Sequence, residues 1–224
     1  MKILFPILGI VWFLAFEGVS IFFGRKALSK KEGKVSLLQY FPNEYIGTRT
    51  SFWSYFLFLI GLLPFFLPLA ILTSSLEFID PSFRGYLLFG EISIFSFCVC
   101  FCFLVAIPPS NEKLHFGLHL GSGLSLMVCF LGESLCFLAV ASRSEHELAI
   151  RVLSWILMAL SILTIPLLAD PRLRKWYELV PMSNPDGSVS YKRPKILLLA
   201  FYEWLLFALS SLGFLLASVL AILF

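Results

Sequence analysis

Residues 115–140 read HFGLHLGSGLSLMVCFLGESLCFLAV, and this stretch decides the fold class. It contains no Lys or Arg, and Glu133 is its one acidic residue. A helix needs roughly 20 mostly apolar residues to cross the hydrocarbon core of a bilayer. The stretch shows no alternation of period two and is far longer than a barrel strand, so only a helix satisfies its backbone in lipid. It is therefore predicted to be a transmembrane helix.

Runs of the same kind occur along the whole chain. Five more are predicted to span the bilayer: 3–23, 52–76, 86–107, 149–168 and 196–223. Of the 224 residues, 59% are hydrophobic and 14% are charged, whereas soluble domains are about 25% charged. The net charge of +3 is too small and dispersed for a nucleic-acid partner. We expect an all-α polytopic integral membrane protein, with residues 1–224 forming a single six-transmembrane-helix bundle.

The distribution of basic residues predicts the orientation. Loops one, three and five carry thirteen of the 17 Lys and Arg residues, and the other side carries four. Because cytoplasmic loops are enriched in Lys and Arg, these three loops are predicted to be cytoplasmic and both termini outside. The first run continues past Glu17 without a cleavage site for a signal peptidase, so we expect it to be retained. The expected location is a plasma membrane or a bacterial inner membrane.

The two long loops contain local signals of their own. In residues 171–180, PRLRKWYELV, apolar residues at helical spacing alternate with basic ones, which predicts a short interfacial helix. Its interfacial residues are Arg172, Arg174, Lys175, Trp176 and Tyr177. They either contact anionic lipid or simply anchor the loop. Residues 184–187, NPDG, predict a tight turn, and Pro42-Asn43 predicts a break in any helix of the first loop.

Small residues and prolines predict how the helices pack. Gly117, Gly121 and Ser125 recur every four residues, and Gly132 falls on the same helix face. Such faces let two helix backbones approach closely, so span four is expected at the centre of the bundle or in a dimer contact. Pro64 in the second span predicts a kink, because it removes an intrahelical hydrogen bond.

Six ionisable residues lie within the predicted spans, where each costs about 2.5–3.5 kcal/mol on insertion scales. They are Glu17, Glu91, His115, His119, Glu133 and Glu203. On the predicted topology, both histidines, Glu17 and Glu203 share a similar depth near the cytoplasmic side. The other two carboxyls, Glu91 and Glu133, are expected to form a pair near the outer side.

Three interpretations of these residues remain open. First, His115 and His119 share a helix face and could bind zinc or another transition metal, with Glu17 or Glu203 completing the shell. Second, four of these ionisable residues could form a proton or ion pathway: Glu91, Glu133, His119 and Glu17. Third, the polar groups could hydrogen-bond to their neighbours and lock the packing of the helices.

A resemblance to a known family adds to this picture. GYLLFGEISIF, beginning at Gly85, and VAIPPSNEKLHFGLHLGSGLSLMVCFLGESL, beginning at Val105, resemble the middle of the DRAM, Frag and Sfk group of six-span membrane proteins. In that group a span ends in a short polar loop, and the next span opens with a histidine and small residues. His115 or His119 would take the histidine's place. The resemblance covers residues 85–140 and implies a non-enzymatic protein of lipid organisation or membrane traffic.

Together these patterns favour a non-enzymatic bundle that binds lipid or passes a small solute or protons. One alternative is a metal-dependent intramembrane hydrolase using the His115/His119 pair. Another is a structural subunit of a membrane complex. The expected partners are membrane lipids and either a second copy of the chain or a partner membrane subunit.

Overall fold

A computed structural model describes residues 3–47, 50–76, 81–107, 113–143, 148–169 and 180–224. The described chain is mainly helical, as predicted. Its helices are α1 (Leu4–Glu32), α2 (Pro42–Ile46), α3 (Phe52–Gly61), α4 (Leu67–Leu76), α5 (Arg84–Ala106), α6 (Lys113–Arg143), α7 (Leu148–Thr164), α8 (Pro166–Ala169) and α9 (Leu198–Leu223). Short 3₁₀ turns at Leu63–Phe66 and Pro81–Phe83 precede α4 and α5.

Within the ranges that the structure describes, five helical segments are long and apolar enough to cross a membrane. They are Leu4–Glu32, Phe52–Thr73, Pro81–Ala106, Lys113–Ser142 and Leu198–Leu223. The run predicted at 149–168 is instead divided into α7, of 17 residues, and the short α8. The break precedes Pro166, whose ring cannot donate a helical hydrogen bond. α7 is apolar but shorter than the other five segments.

The helices form a closed ring. α1 contacts α3 and α4, α4 contacts α5, α5 contacts α6, α6 contacts α7, α7 contacts α9, and α9 returns to α1. Large apolar side chains such as Leu4, Val11, Phe22 and Phe95 remain exposed on the outer faces. Soluble monomers rarely expose so much contiguous apolar surface. The outside of the ring is therefore suited to contact with lipid chains.

Phenylalanine rings fill the centre of this ring. Phe65 stacks on Phe214 with centroids 4.3 Å apart and on Phe97 at 5.4 Å. Nearer the loop-one end, Phe101 packs against Phe58 and Phe207, both at 5.2 Å. Because all these rings are buried, the centre is a packed aromatic core.

The predicted kink at Pro64 is confirmed. α3 ends at Gly61, and the chain passes through the 3₁₀ turn before α4 begins. Pro64 has no N–H to donate to the carbonyl of Ile60 four residues earlier. The indole Nε1 of Trp12 donates to that oxygen instead, at 2.9 Å. A side chain of α1 thus satisfies the carbonyl that the proline releases.

The last long loop contains a short β-hairpin, which was not predicted. Strands β1 (Val180–Ser183) and β2 (Val189–Lys192) pair antiparallel, with Val180 opposite Lys192. The turn predicted at 184–187 joins them, and Gly187 has a φ of 80° there. Ser188 donates to Asp186 from its hydroxyl and its N–H, which lowers the pKa of this carboxyl. Of the expected interfacial helix, Val180 begins β1 and the rest lies outside the described residues.

The first long loop also differs from expectation, because Pro42 begins α2 rather than breaking it. Proline is well suited to the first turn of a helix, where the missing N–H would be unpaired anyway. The Glu44 carboxylate accepts from the N–H of Phe41 and caps this turn. A proline breaks a helix in its interior, whereas Pro42 occupies the first position of α2.

The two long loops meet at one end of the bundle. The N–H of Leu197 donates to the carbonyl of Leu38 at 2.8 Å, and Gln39 Nε2 donates to the carbonyl of Pro194 at 3.2 Å. The indole of Trp204 donates to the carbonyl of Tyr40 at 2.9 Å. The segment after α1 and the segment before α9 therefore lie side by side.

Candidate functional site

A buried histidine–glutamate pair joins α6 to α9. His119 Nε2 lies 2.8 Å from Glu203 Oε1, and His119 Nδ1 lies 2.7 Å from the carbonyl oxygen of Ile107. Both side chains are buried. The pair thus ties the start of α6 to the start of α9 and to the end of α5. The sequence singled out both residues but did not predict that they pair.

The partners of His119 determine its tautomer. A carbonyl oxygen can only accept, so Nδ1 must carry a proton. One further proton lies between Nε2 and Glu203 Oε1, on the imidazole or on the carboxyl. In either position the pair has no net charge. A neutral, hydrogen-bonded pair is the arrangement that an apolar interior tolerates best.

The pair forms part of the lining of a crevice of about 50 Å³ between α6 and α9. We call His119 and Glu203 the polar floor of this crevice. Apart from the pair, the walls are almost entirely apolar: Leu104, Leu120, Gly123, Met127, Leu167, Leu199, Tyr202 and Leu206. A water molecule needs about 10–15 Å³ measured in this way. The crevice can therefore hold one small polar group together with a short length of hydrocarbon.

One carboxylate oxygen of this pair has no partner among the described residues. Glu203 Oε2 is buried without a hydrogen bond to any of them, and the residue is only 7% exposed. Leaving a buried acceptor unsatisfied costs about 1–3 kcal/mol. A donor group that reached this oxygen from the crevice would remove this cost. The geometry therefore suits a ligand with a hydroxyl or ammonium group.

A polar cap covers the same end of the bundle. Arg193 makes two hydrogen bonds to the Glu44 carboxylate, at 2.7 and 2.6 Å, and its guanidinium lies 4.5 Å from the ring centroid of Tyr40. Burial raises the pKa of the Tyr40 hydroxyl, and so does the nearby Glu32 carboxylate. The sequence analysis missed this cap, although a proline followed two residues later by glutamate is typical of a helix start.

The structure does not assemble the four proposed metal ligands. Within the described ranges, no group of three or more His, Cys, Asp or Glu side chains could hold a metal ion. His115 is half-buried, and Glu17 faces Gly61, where an added Cβ would lie 3.1 Å from its Oε1. Both carboxylate oxygens of Glu17 are buried without a hydrogen bond to any described residue. Of the four proposed ligands, His119 and Glu203 are in direct contact.

Two residues of the proposed proton or ion pathway lie on α5 and α6. Glu91 accepts a hydrogen bond from Thr73 at 2.9 Å. Glu133 is buried, and its Oε1 has no hydrogen-bond partner in the described part of the chain. No hydrogen bond among the described residues joins Glu91, Glu133, His119 and Glu17 into a chain. The pathway stays a prediction.

The small residues of α6 have two different environments. A Cβ at Gly132 would lie 2.5 Å from Ser93 Oγ, so this glycine permits the close approach of α5. Gly117 and Gly121 have nothing within 4 Å of such a Cβ, and Ser125 is exposed. The prediction of intramolecular packing thus holds at Gly132, whereas the other three lie on the outer surface.

The expected interfacial residues Arg172, Arg174, Lys175, Trp176 and Tyr177 lie outside the described residues.

Comparisons with known proteins give no independent assignment. The geometry of the pair, the crevice and the cap is therefore the basis on which a function is inferred. No protein-family model, no curated protein and no solved structure matches the chain.

Proposed function

We propose that this chain is a six-pass membrane protein that binds a membrane amphiphile in the crevice between α6 and α9. The apolar walls take the hydrocarbon of the ligand, and its headgroup donates a hydrogen bond to Glu203. The observation that carries the proposal is that Glu203 lines an otherwise apolar crevice and has a buried Oε2 without a hydrogen-bond partner in the described part of the chain.

The sixth crossing is supported by the contact between the two long loops. The bond from Leu197 to Leu38 brings the chain back, before α9, to the end of the bundle where α1 stops. Only an even number of crossings between these residues can do this. The segments α3 with α4, α5 and α6 supply three, so α7 with α8 must supply the fourth. Together with α1 and α9, they give six crossings.

The topology can be tested with single cysteines in a cysteine-free background. Cysteines at Lys34 and Ser188 should both resist an impermeant thiol reagent applied outside cells, because these two loops carry twelve of the 17 Lys and Arg residues, an excess typical of cytoplasmic loops. A cysteine at Leu148, which is 77% exposed at the start of α7, should be labelled. Labelling of Leu148 and Ser188 from the same side would contradict the sixth crossing. If the cysteines at Lys34 and Ser188 are labelled and the one at Leu148 is not, the orientation is the opposite of the one proposed.

Binding fits the interior of the bundle better than conduction. Stacked phenylalanine rings occupy the centre, and a path for ions needs water or polar groups along its length. A metal-dependent hydrolase is also less well supported, because Ile107 and Glu203 engage both nitrogens of His119. A non-enzymatic role in lipid organisation agrees with the proposed relation of residues 85–140 to the DRAM, Frag and Sfk group.

The outer face of α6 supports a further part of the proposal. Gly117, Gly121 and Ser125 leave a shallow surface on which another transmembrane helix could pack closely. A second copy of the chain is the simplest such partner. Placement in a plasma membrane or a bacterial inner membrane belongs to the same proposal.

Photo-crosslinking tests the binding site. The probes are a photoactivatable fatty alcohol and its methyl ether, which has the same chain and no hydrogen-bond donor. The alcohol should label peptides of α6 and α9, because its hydroxyl can donate to Glu203. The double variant His119→Leu/Glu203→Met should reduce this labelling at least ten-fold, because it removes the polar floor and keeps the volume.

Two controls define the outcome. Glu133→Gln alters a buried carboxyl elsewhere and should leave the labelling unchanged. The methyl ether should label weakly in every variant. Equal labelling by the ether and the alcohol, or full labelling of the double variant, would show that the polar floor does not select the ligand.

A further inference from the structure

A basic groove lies between the end of α1 and the start of α3, apart from the α6–α9 crevice. It has a volume of about 400 Å³. Its lining consists of Phe23, Lys26, Ala27, Lys30, Lys31, Thr50 and Ser51. Three of these residues carry a positive charge, and none carries a negative one. We call this the lysine groove.

The spacing of the lining residues places them on one face of α1. Phe23, Lys26 and Ala27 are followed one turn later by Lys30 and Lys31, the i, i+3, i+4, i+7, i+8 pattern of a single helical stripe. The apolar Phe23 lies toward the membrane-crossing part of α1, and the lysines lie toward its end. The groove is therefore apolar at one end and cationic at the other.

The walls of the lysine groove are held in place by contacts between helices. Ser20 Oγ donates to the carbonyl of Ser54, and Ser54 Oγ donates back to the carbonyl of Ser20, both at 2.7 Å. One turn later, Gly24 touches the carbonyl oxygen of Tyr45 in α2. These contacts fix the distance between α1 and α3. The groove is formed before any ligand enters it.

The charges of this groove are not neutralised by the described part of the chain. Its ion pairs join Arg193 to Glu44 and His119 to Glu203, and they involve none of the three lysines. Like charges four residues apart, as at Lys26 and Lys30, destabilise a helix. An anion in the groove would remove this repulsion.

We propose that the lysine groove binds the headgroup of an anionic phospholipid. Phe52 and Trp53 at the start of α3 are both 64% exposed, and exposed aromatic residues of this kind mark the membrane–water interface. The lysines thus lie at the depth of lipid phosphates, and Phe23 lies at the depth of the upper acyl chain. A phospholipid matches both ends of the groove, whereas a free phosphate matches only the cationic end.

Native mass spectrometry of the full chain, released from nanodiscs, tests this proposal. The nanodiscs contain phosphatidylcholine with a minor fraction of phosphatidylglycerol. We expect the wild-type chain to retain phosphatidylglycerol above its share in the bilayer. The variant Lys26→Gln/Lys30→Gln/Lys31→Gln should reduce this enrichment at least ten-fold.

A matched variant separates the groove from general attraction to a basic surface. Lys34→Gln/Lys192→Gln/Lys195→Gln removes the same charge near the same end of the bundle and should stay within two-fold of the wild type. Equal loss in both variants would overturn the proposal. Displacement of the lipid by millimolar inorganic phosphate would also overturn it, since the site would then recognise phosphate alone.

Discussion

His119→Ala is expected to destabilise the protein by about 3–5 kcal/mol, the largest effect of any single substitution in the α6–α9 site. The change leaves Glu203 buried without its only hydrogen-bonding partner, because its Oε2 already lacks one. Breaking a buried pair from one side costs this much because a polar group is stranded in an apolar interior. Thermal unfolding in mild detergent, followed by tryptophan fluorescence, measures the change.

The double variant His119→Leu/Glu203→Met is the decisive companion to this substitution. Replacing both members of a buried pair with apolar residues of similar volume is often neutral or stabilising. We therefore expect the double variant to be much more stable than His119→Ala. If the two variants are equally unstable, packing at these positions matters more than the hydrogen bond. A stable His119→Ala variant would contradict the buried pair itself.

Gly24→Ala should destabilise the bundle by about 3 kcal/mol, the upper part of the range for overpacking. A Cβ at Gly24 would overlap the backbone carbonyl oxygen of Tyr45, which cannot rotate away as a side chain could. α2 would have to move away from α1, and its displacement would disturb the Glu44–Arg193 cap. The same unfolding measurement reports the loss.

Gly18→Ala provides the matched control on the same helix. A Cβ at Gly18 would have nothing within 4 Å, and alanine is favoured over glycine inside a helix by about 0.8–1.0 kcal/mol. This variant should be unchanged or slightly more stable. An equal loss at Gly18 and Gly24 would show that the contact with Tyr45 is not the cause.

The sequence predicted the parts of this fold that depend on local chemistry. Apolar length located the five long helical segments, and the missing N–H of Pro64 located the kink. The hairpin at 180–192 was missed because its strands are only four residues long and have no strong period. Its turn was still recognised, because NPDG is a strong local signal.

The candidate site depends on contacts between distant residues, and this limited its prediction. Spacing along α6 related His119 to His115, whereas the structure pairs His119 with Glu203, 84 positions away. Likewise, Arg193 reaches Glu44 across 149 positions. Helical periodicity shows which residues share a face, but it cannot identify the helix that packs against that face.

The closed ring of helices has a consequence for biosynthesis. α9 follows the other described helices in chain order, and it supplies Glu203 and Phe214 to the interior. Because synthesis proceeds from the N-terminus, the earlier helices emerge from the ribosome before these two residues exist. Until α9 arrives, His119 and the ring of Phe65 remain uncovered on that side. The nascent bundle therefore presents a polar gap that membrane quality control could recognise, and insertion of α9 closes it.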